Sequence, residues 1–491
     1  MPRHWRPPDD PVLPRAWAGL AVVAAASFVA TLDAMVLYVA FGSIRRDFPE
    51  VSAAALSWIL SGYTIVIAAG MVAAGRWADR LGRRRVFLCG MGLFTVASAI
   101  CAVAPGADFL VAARVLQGFG AAALTPASLA LILRAFPTSR VPQAIALWGA
   151  AGALAAALGP TVGGLFVEAW GWRSVFAVNV PIGLAIAIVG PWLLDESREP
   201  DGTPVPDAVG AVVVTIALVL LALGIVQSTE WGWSNGQTIG VLLAGLVLLG
   251  AFVVRCAAVA NPVLALDLFS ERGFRWGNLG QLLYGTGFTI MFFGNVQFLR
   301  EVWGYSPVWT GLAMAPGPLV VFLLAPWFGR LAGRMGQRSI LIPGGIVYAL
   351  AALFLLSRAD SAPRYLMVWL PFTLSSGVGV SMVFPQLTSA AVVGLPADRF
   401  ATGSAVNAAI RALAQTLGVA IFVALVGRAA PGELLAHHRL AWSLVVVAGI
   451  AVSVTSWWLP RTALATRAGE CGRWIDVPPP RPATSLKGVT P

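Results

Sequence analysis

Charge is scarce in this chain. Of its 491 residues, 11% are Asp, Glu, Lys or Arg, where a soluble domain carries about 25%. That deficit excludes a soluble globular protein. Lysine occurs once, at Lys487. Histidine occurs three times (His4, His437, His438), never inside a predicted membrane span, so haem, zinc or di-iron chemistry has almost no ligands there. The four cysteines (Cys89, Cys101, Cys256, Cys471) show no ligand spacing, and neither a metal site nor a disulfide is expected. A membrane-embedded enzyme needs clustered His, Asp or Glu within its spans. One acid and no histidine lie there, so the chain is not read as an enzyme. A signalling receptor needs a soluble output domain, and a tail of about thirty residues offers none.

Apolar length takes the place of charge. The chain is 58% hydrophobic, with a mean hydropathy of +0.80. The apolar residues come in stretches of roughly 18–25, the length that crosses about 30 Å of hydrocarbon. Backbone facing lipid must satisfy its own hydrogen bonds, and the stretches are apolar on all faces. They are therefore predicted as helices, not barrel strands. Fourteen transmembrane helices are predicted, among them 16–40, 109–133, 143–166, 276–299 and 402–427. Arg3, Arg6 and Arg15 resemble a signal-peptide start. The stretch that follows is too long for one and lacks a convincing cleavage site, so it is read as retained.

An even number of spans puts both termini on one side. With both cytoplasmic, 23 of the 33 Lys and Arg fall in cytoplasmic segments, eight fall outside, and Arg114 and Arg411 lie within spans. The opposite orientation inverts that ratio and violates the positive-inside rule. The expected location is the inner (plasma) membrane, multi-pass, and the predominance of Arg over Lys together with much alanine points to a GC-rich bacterial gene. The net charge of +11 is read as anchoring to anionic lipid, not as a nucleic-acid footprint. The segment Asp195–Asp207 holds five acids and only Arg198, but acids weigh little in orientation.

One run recurs. Gly75-Arg76-Trp77-Ala78-Asp79-Arg80-Leu81-Gly82-Arg83-Arg84-Arg85 has a degraded copy 254 residues on, at Gly329-Arg330-Leu331-Ala332-Gly333-Arg334-Met335-Gly336-Gln337-Arg338. Each follows the second helix of a unit, and eight spans separate them. The chain therefore reads as six plus two plus six. An N-terminal segment (1–15) precedes a six-helix bundle (16–194). An inserted hairpin with its linker (195–260, spans 208–227 and 238–257) leads to a second six-helix bundle (261–460) and a disordered cytoplasmic tail (461–491). The hairpin spans carry no ionisable residue except Arg255 and are read as lipid-facing packing helices. A duplicated bundle with a site between its halves is how secondary transporters are built.

The turn Gly75–Arg85 resembles the signature loop of the major facilitator superfamily, between helices two and three. Three further runs agree. Arg114-Val115-Leu116-Gln117-Gly118-Phe119-Gly120 is similar to that superfamily's fourth-helix motif. Gly159-Pro160-Thr161-Val162-Gly163-Gly164 is similar to its fifth-helix antiporter motif. The run from Trp172 to Gly183 resembles the opening of helix six in the fourteen-helix drug:proton antiporters, and Gly304-Tyr305-Ser306-Pro307 and Asn407-x-x-x-Arg411 match that branch's second half. The resemblance covers about residues 16–460. Departures are clear. The branch's first-helix run, of the form Leu-Asp-x-Thr-Ile-Val-Asn-Val-Ala-Leu-Pro, is here Leu32–Gly42, with Met35, Tyr38 and Gly42 at the Thr, Asn and Pro positions. Ala155 stands where the fifth-helix motif commonly has glycine, and Gly333 replaces the acid of the second loop. The first set of departures bears on substrate range more than on transport.

The resemblance implies a proton-driven exporter of small lipophilic or amphipathic compounds such as drugs or antibiotics, with an exporter or importer of one endogenous metabolite as the alternative. It implies no cofactor beyond the proton gradient, no nucleic acid and no obligate protein partner. It places Gly75, Asp79, Arg80, Gly82 and Arg83 at a cytoplasmic gate and Gly159, Pro160, Gly163 and Gly164 at a packing and antiport motif.

The residues point to a site on their own. Asp33 is the one acid well within a span. A charge there costs at least about 2.5 kcal/mol, so it calls for a partner or a function. Asp33 and Arg114 lie about 10 Å and 8 Å from the outer ends of their antiparallel helices, which lets them pair. Two readings stand: a static ion pair, or a proton-responsive one, since burial favours the neutral acid and a guanidinium the ionised one. A lone acid also implies that a cationic substrate competes with the proton and that dications are handled poorly. Gln117 shares the Arg114 face, Tyr38 lies beyond Asp33, and Asn407 and Arg411 share a face at i, i+4. In span nine Asn278, Gln281, Tyr284, Phe288, Phe292 and Asn295 form a polar-aromatic stripe. It is read either as a cavity wall or as hydrogen-bonded interhelical packing.

Overall fold

Long apolar stretches can satisfy their backbone in lipid only as helices. The computed structural model describes residues 14–137, 140–198, 207–259, 262–395, 400–427, 429–430 and 432–460, and no strand occurs among them. Most of the segment 1–15 and the whole tail 461–491 lie outside the described residues. The first six helices are α1 (Pro14–Asp47), α2 (Ala53–Leu81), α3 (Arg83–Ala102), α4 (Ala107–Ala135), α5 (Val141–Trp170) and α6 (Ser174–Leu193). Next come α7 (Ala208–Trp231) and α8 (Gly236–Ala258). The last six are α9 (Arg272–Val302), α10 (Pro307–Met335), α11 (Gln337–Arg358), α12 (Tyr365–Val392), α13 (Phe400–Val426) and α14 (Leu434–Ser456).

Thirteen of these are long and apolar enough to cross a membrane unaided, and α5, counted as one bent span, makes fourteen. The α5 bend is 44° and falls between Ala156 and Leu158. Pro160 explains it: its ring lacks the N–H that would bond to the carbonyl four residues earlier, at Ala156, and clashes with that carbonyl. Helix α6 breaks at Val178 and α10 at Ala315.

Packing repeats with the sequence. In the first six helices α1 lies on α5, α2 and α3 on α4, and α3 on α6. Eight helices later α9 lies on α13, α10 and α11 on α12, and α11 on α14. The repeated turns also match: Gly82 (φ +114°) ends α2 and Gly336 (φ +84°) ends α10, both with backbone that only glycine adopts freely. The end of the bundle with these two turns is called the basic end below, and the other the far end.

The halves meet along two symmetric seams, α2 on α13 and α5 on α10. At mid-depth of the first, the Thr64 and Thr416 hydroxyls are 2.7 Å apart. Helix α7 covers this seam, which the reading of both hairpin helices as lipid-facing did not anticipate. Its Leu218 and Ala222 pack with Ile65 and Ala68 of α2 and Ala412 of α13, and Val226 packs with Ala54 and Ala420. Helix α8 does face outward, exposing Leu243, Leu246, Val247 and Val254. At the basic end Asp207 caps α7 (Gly210 N to Oδ1, 2.9 Å) and takes a 2.7 Å bond from Arg255 Nη2 of α8, closing the hairpin.

The α5–α10 seam is backbone on backbone. A Cβ on Gly164 would run into the Pro307 carbonyl, and one on Gly311 into the Pro160 carbonyl. Gly311→Val should therefore force the helices apart and cost about 1–3 kcal/mol. A thermal-unfolding series should rank wild type above Gly311→Ala and Gly311→Ala above Gly311→Val; equal midpoints would show that the crossing is not tight.

Candidate functional site

Asp33 lies in α1 with 3% of its surface exposed, and Arg114 lies in α4 with 1%. Arg114 Nη1 donates to Asp33 Oδ2 at 2.6 Å, and its Nε donates to the Ile59 carbonyl of α2 at 3.1 Å. Nη1 also donates to Gln117 Oε1. The Gln117 amide in turn donates to Asp33 Oδ1 (3.0 Å) and to Ser98 Oγ of α3 (2.7 Å). Asn179, the first residue of α6 beyond its break, donates from Nδ2 to the same Asp33 oxygen at 2.7 Å. The Tyr63 ring of α2 lies 4.0 Å below the guanidinium carbon, within cation–π range. Asp33 is thus the acceptor of a network drawn from α1, α2, α3, α4 and α6.

Both Asp33 oxygens are already hydrogen-bonded, so a cationic substrate competing for this carboxylate must first displace an arginine or two amides. Removing one partner of a buried pair leaves an uncompensated charge, worth about 3–5 kcal/mol. The sequence reading named Gln117 but missed Asn179, Ser98 and Tyr63. Asn179 sits inside the quoted Trp172–Gly183 run, and a buried asparagine beside a helix break was the available signal.

The second-half candidates separate into two groups. Asn407 Nδ2 donates to Asn278 Oδ1 (2.9 Å), and Trp442 Nε1 donates to Asn295 Oδ1 (3.2 Å). These are interhelical packing bonds. Gln281 and Tyr284 differ: both are fully buried, and the Gln281 amide atoms, the Tyr284 hydroxyl and the neighbouring Tyr348 hydroxyl have no hydrogen-bond partner. Tyr284 stacks on Phe288 (centroids 5.9 Å) and Phe288 on Phe292 (5.7 Å), with Phe384 of α12 against the first two. Arg411 of α13 places its guanidinium carbon 6.0 Å from the Phe384 centroid and makes no ion pair with a described residue. Tyr38 meets this cluster only at Phe292. With Phe41, Phe292, Phe293 and Phe422 it forms an aromatic plug joining α1, α9 and α13 toward the far end, with centroids 5.1–5.8 Å apart.

At the basic end the α2–α3 turn is clasped by the acidic segment after α6. Glu196 Oε1 accepts from the Arg84 backbone N–H (3.1 Å), Oε2 faces Arg84 Nε (3.8 Å) and Arg85 Nε (3.6 Å), and Arg83 N donates to the Ser197 carbonyl (2.9 Å). Gly75 lets α2 approach Pro126 of α4, Gly82 turns the chain, and Arg80 is exposed. The Asp79 side chain lies outside the described residues. Gly159 and Gly163 admit Met35 and Val36 of α1 onto α5, while Pro160 and Gly164 face α10. Among the described residues no group of three or more His, Cys, Asp or Glu could hold a metal.

Comparison with known proteins extends these observations. The family model described as Major Facilitator Superfamily matches residues 23–419. The multidrug resistance protein Stp of Mycobacterium tuberculosis is 33% identical over 401 residues, covering 80% of this chain and 73% of that protein. The cephamycin export protein CmcT of Amycolatopsis lactamdurans is 32% identical over 465 residues, covering 92% and 94%. The xylose transporter XylE from E. coli, solved in a partially occluded inward-open conformation, superimposes with a TM-score of 0.63 at 14% identity, covering 91% and 98%.

The buried pair makes a measurable demand on stability. Arg114→Leu strands the Asp33 carboxylate and should lower stability by about 3–5 kcal/mol. Adding Asp33→Asn should recover part of that loss, because the stranded charge is gone. Thermal midpoints of the purified single and double variants test this, and simple additivity would show that the two side chains do not interact.

Proposed function

The chain belongs to the Major Facilitator Superfamily, and on that premise we propose that it is a proton-coupled exporter of small lipophilic or amphipathic compounds. The observation that carries the proposal is the Asp33 network, a lone membrane acid held by donors from α4 and α6 of the first bundle. Two relatives whose printed names describe multidrug resistance and cephamycin export support the direction of transport. The excess of Lys and Arg on one side, 23 of 33, supports an orientation with the basic end and both termini on the cytoplasmic side of a bacterial plasma membrane.

The bundles 16–194 and 261–460 rock about the cavity between them, with the hairpin 195–260 riding on one seam. With Arg114 beside it, Asp33 is ionised. Withdrawing the guanidinium leaves a carboxylate in apolar surroundings, and it takes up a proton from the side then open. Re-pairing expels the proton to the other side. Each inward proton supplies about 2.3 kcal/mol per 100 mV, besides the pH term. Gln117 and Asn179 keep the carboxylate oriented in either state. Gln281, Tyr284, Phe288 and Arg411 offer the cargo aromatic surface, unpartnered polar atoms and one cation. Gly75, Asp79, Arg80, Gly82 and Arg83, clasped by Glu196, form the cytoplasmic gate.

Asp33→Asn keeps the size and hydrogen bonds of the side chain and removes the titrating group. Expressed with its deletion-strain control, the wild type should raise tolerance to a panel of lipophilic antibiotics. In proteoliposomes the variant should insert normally and lose at least tenfold of the transport driven by an imposed pH gradient. Uphill export by the asparagine variant would remove Asp33 from the coupling step, and cargo moving in the same direction as the protons would overturn antiport.

A further inference from the structure

Beyond the aromatic plug the far end opens into a cavity of about 710 Å³. Both halves line it. Gly42, Arg45 and Arg46 come from α1, Glu230 from α7, Gln297, Arg300 and Glu301 from α9, and Val423 from α13. Among the lining residues three arginines therefore face two carboxylates, and Glu168 of α5 adds a third negative charge that acts on Arg300 from outside the lining. Arg45 Nη1 already lies 3.4 Å from Glu301 Oε1, and neither Arg46 nor Arg300 makes an ion pair with a described residue. Arg300 is half-buried, and its Nη1 is sealed from solvent with no hydrogen-bond partner. Gln297 on the same wall is 4% exposed, and its Oε1 is likewise unpartnered. A buried guanidinium N–H without an acceptor is costly, and an oxyanion is the acceptor that suits it.

The room for this guanidinium is made by a departure in α1. At Gly42, where the resembling family run has proline, a Cβ would lie 3.3 Å from Arg300 Nε. Glycine there lets the Arg300 side chain cross to α1 and join Arg45 and Arg46. Arg411 below the plug is a further cation with no carboxylate partner among the described residues, while Asp33 is taken up by Arg114, Gln117 and Asn179.

We infer that this vestibule is an anion-binding exit site, and that the compounds expelled include organic anions, amphipaths bearing a carboxylate, phosphate or sulfonate. The inference rests on the export reading and its orientation, which place the vestibule on the outer side. A cargo acid pairs first with Arg411 in the central cavity. When the plug opens, it passes to Arg46 and Arg300 and leaves into water, where screening weakens the attraction. The aromatic ladder of Tyr284, Phe288 and Phe292 provides the surface for its apolar part.

The test is equilibrium binding of carboxyfluorescein to the full-length protein in phosphatidylcholine nanodiscs, read by fluorescence anisotropy. Wild type should bind with an affinity that falls as salt rises. Arg46→Gln with Arg300→Gln should weaken binding at least tenfold. Arg46→Gln alone, at an exposed position, should weaken it measurably without the folding risk of a change at Arg300. Arg358→Gln, an equal charge change outside the vestibule lining, should leave it intact. Binding within twofold of wild type in the double variant would overturn the site. Binding that disappears when phosphatidylglycerol is added would mean that a lipid headgroup fills the vestibule, which overturns the cargo assignment. Arginine-dependent binding in a protein that carries nothing down a pH gradient would uphold the anion site and sink the export reading instead.

Discussion

A carboxylate inside a membrane bundle persists only beside a partner, and the Asp33–Arg114 pair sets the terms for the whole first half. Each charge alone costs at least about 2.5 kcal/mol to bury, so the two must stay within reach unless one is neutralised. Arg114 is further fixed by the Ile59 carbonyl and the Tyr63 ring, and Asp33 by Gln117 and Asn179. Five helices contribute to one small cluster. None of them can shift far without trading a hydrogen bond, and the cheapest way to lose the guanidinium is to gain a proton. That exchange is what ties protonation to helix movement in the proposed cycle.

The two halves share a scaffold but not this chemistry. Neighbour pairs repeat eight helices apart, and the turn glycines Gly82 and Gly336 repeat 254 residues apart. The acid of the first turn has no counterpart, Gly333 standing in its place. Among the described residues the second half has instead buried aromatic rings, an unpartnered glutamine amide, two unpartnered phenols and a cation without an acid. Duplication supplied two bundles that fit each other along two equivalent seams. In the proposed cycle, divergence left proton handling to one and cargo contact to the other.

The sequence carried this as far as periodicity and charge reach. Span lengths follow from bilayer thickness, the duplicated turn from glycine and arginine spacing, and the pairing of Asp33 with Arg114 from equal depth on antiparallel helices. Rotation was harder. Helices apolar on every face give no hint of which side is covered, so reading α7 as a lipid-facing packing helix does not reveal that the α2–α13 seam is what it packs on. The stripe of span nine was seen as one surface, yet Asn278 and Asn295 are spent on Asn407 and Trp442, because spacing along one helix says nothing of what the next presents. The acids near Asp195 looked like an exception to the charge rule. Glu196 gives them a structural reason, since the arginines that anchor the α2–α3 turn need a carboxylate to hold it against α6.

Helix α1 draws these elements into one line. It runs without interruption from Pro14 to Asp47, carrying the buried carboxylate Asp33, the plug at Tyr38 and Phe41, the relaxed contact at Gly42 and the vestibule cations at Arg45 and Arg46. From Asp33 to Arg46 is about 20 Å at 1.5 Å per residue. It also rests on Gly159 and Gly163 of α5, where the lack of side chains allows close approach. A stiff helix hinged on small residues transmits a tilt along its length. Loss of the Arg114 contact at one level is therefore felt, in the proposed cycle, at the plug and at the Arg45–Glu301 bridge above it. In the proposed cycle, proton binding and outer opening need no separate relay, because both are displacements of the same rod.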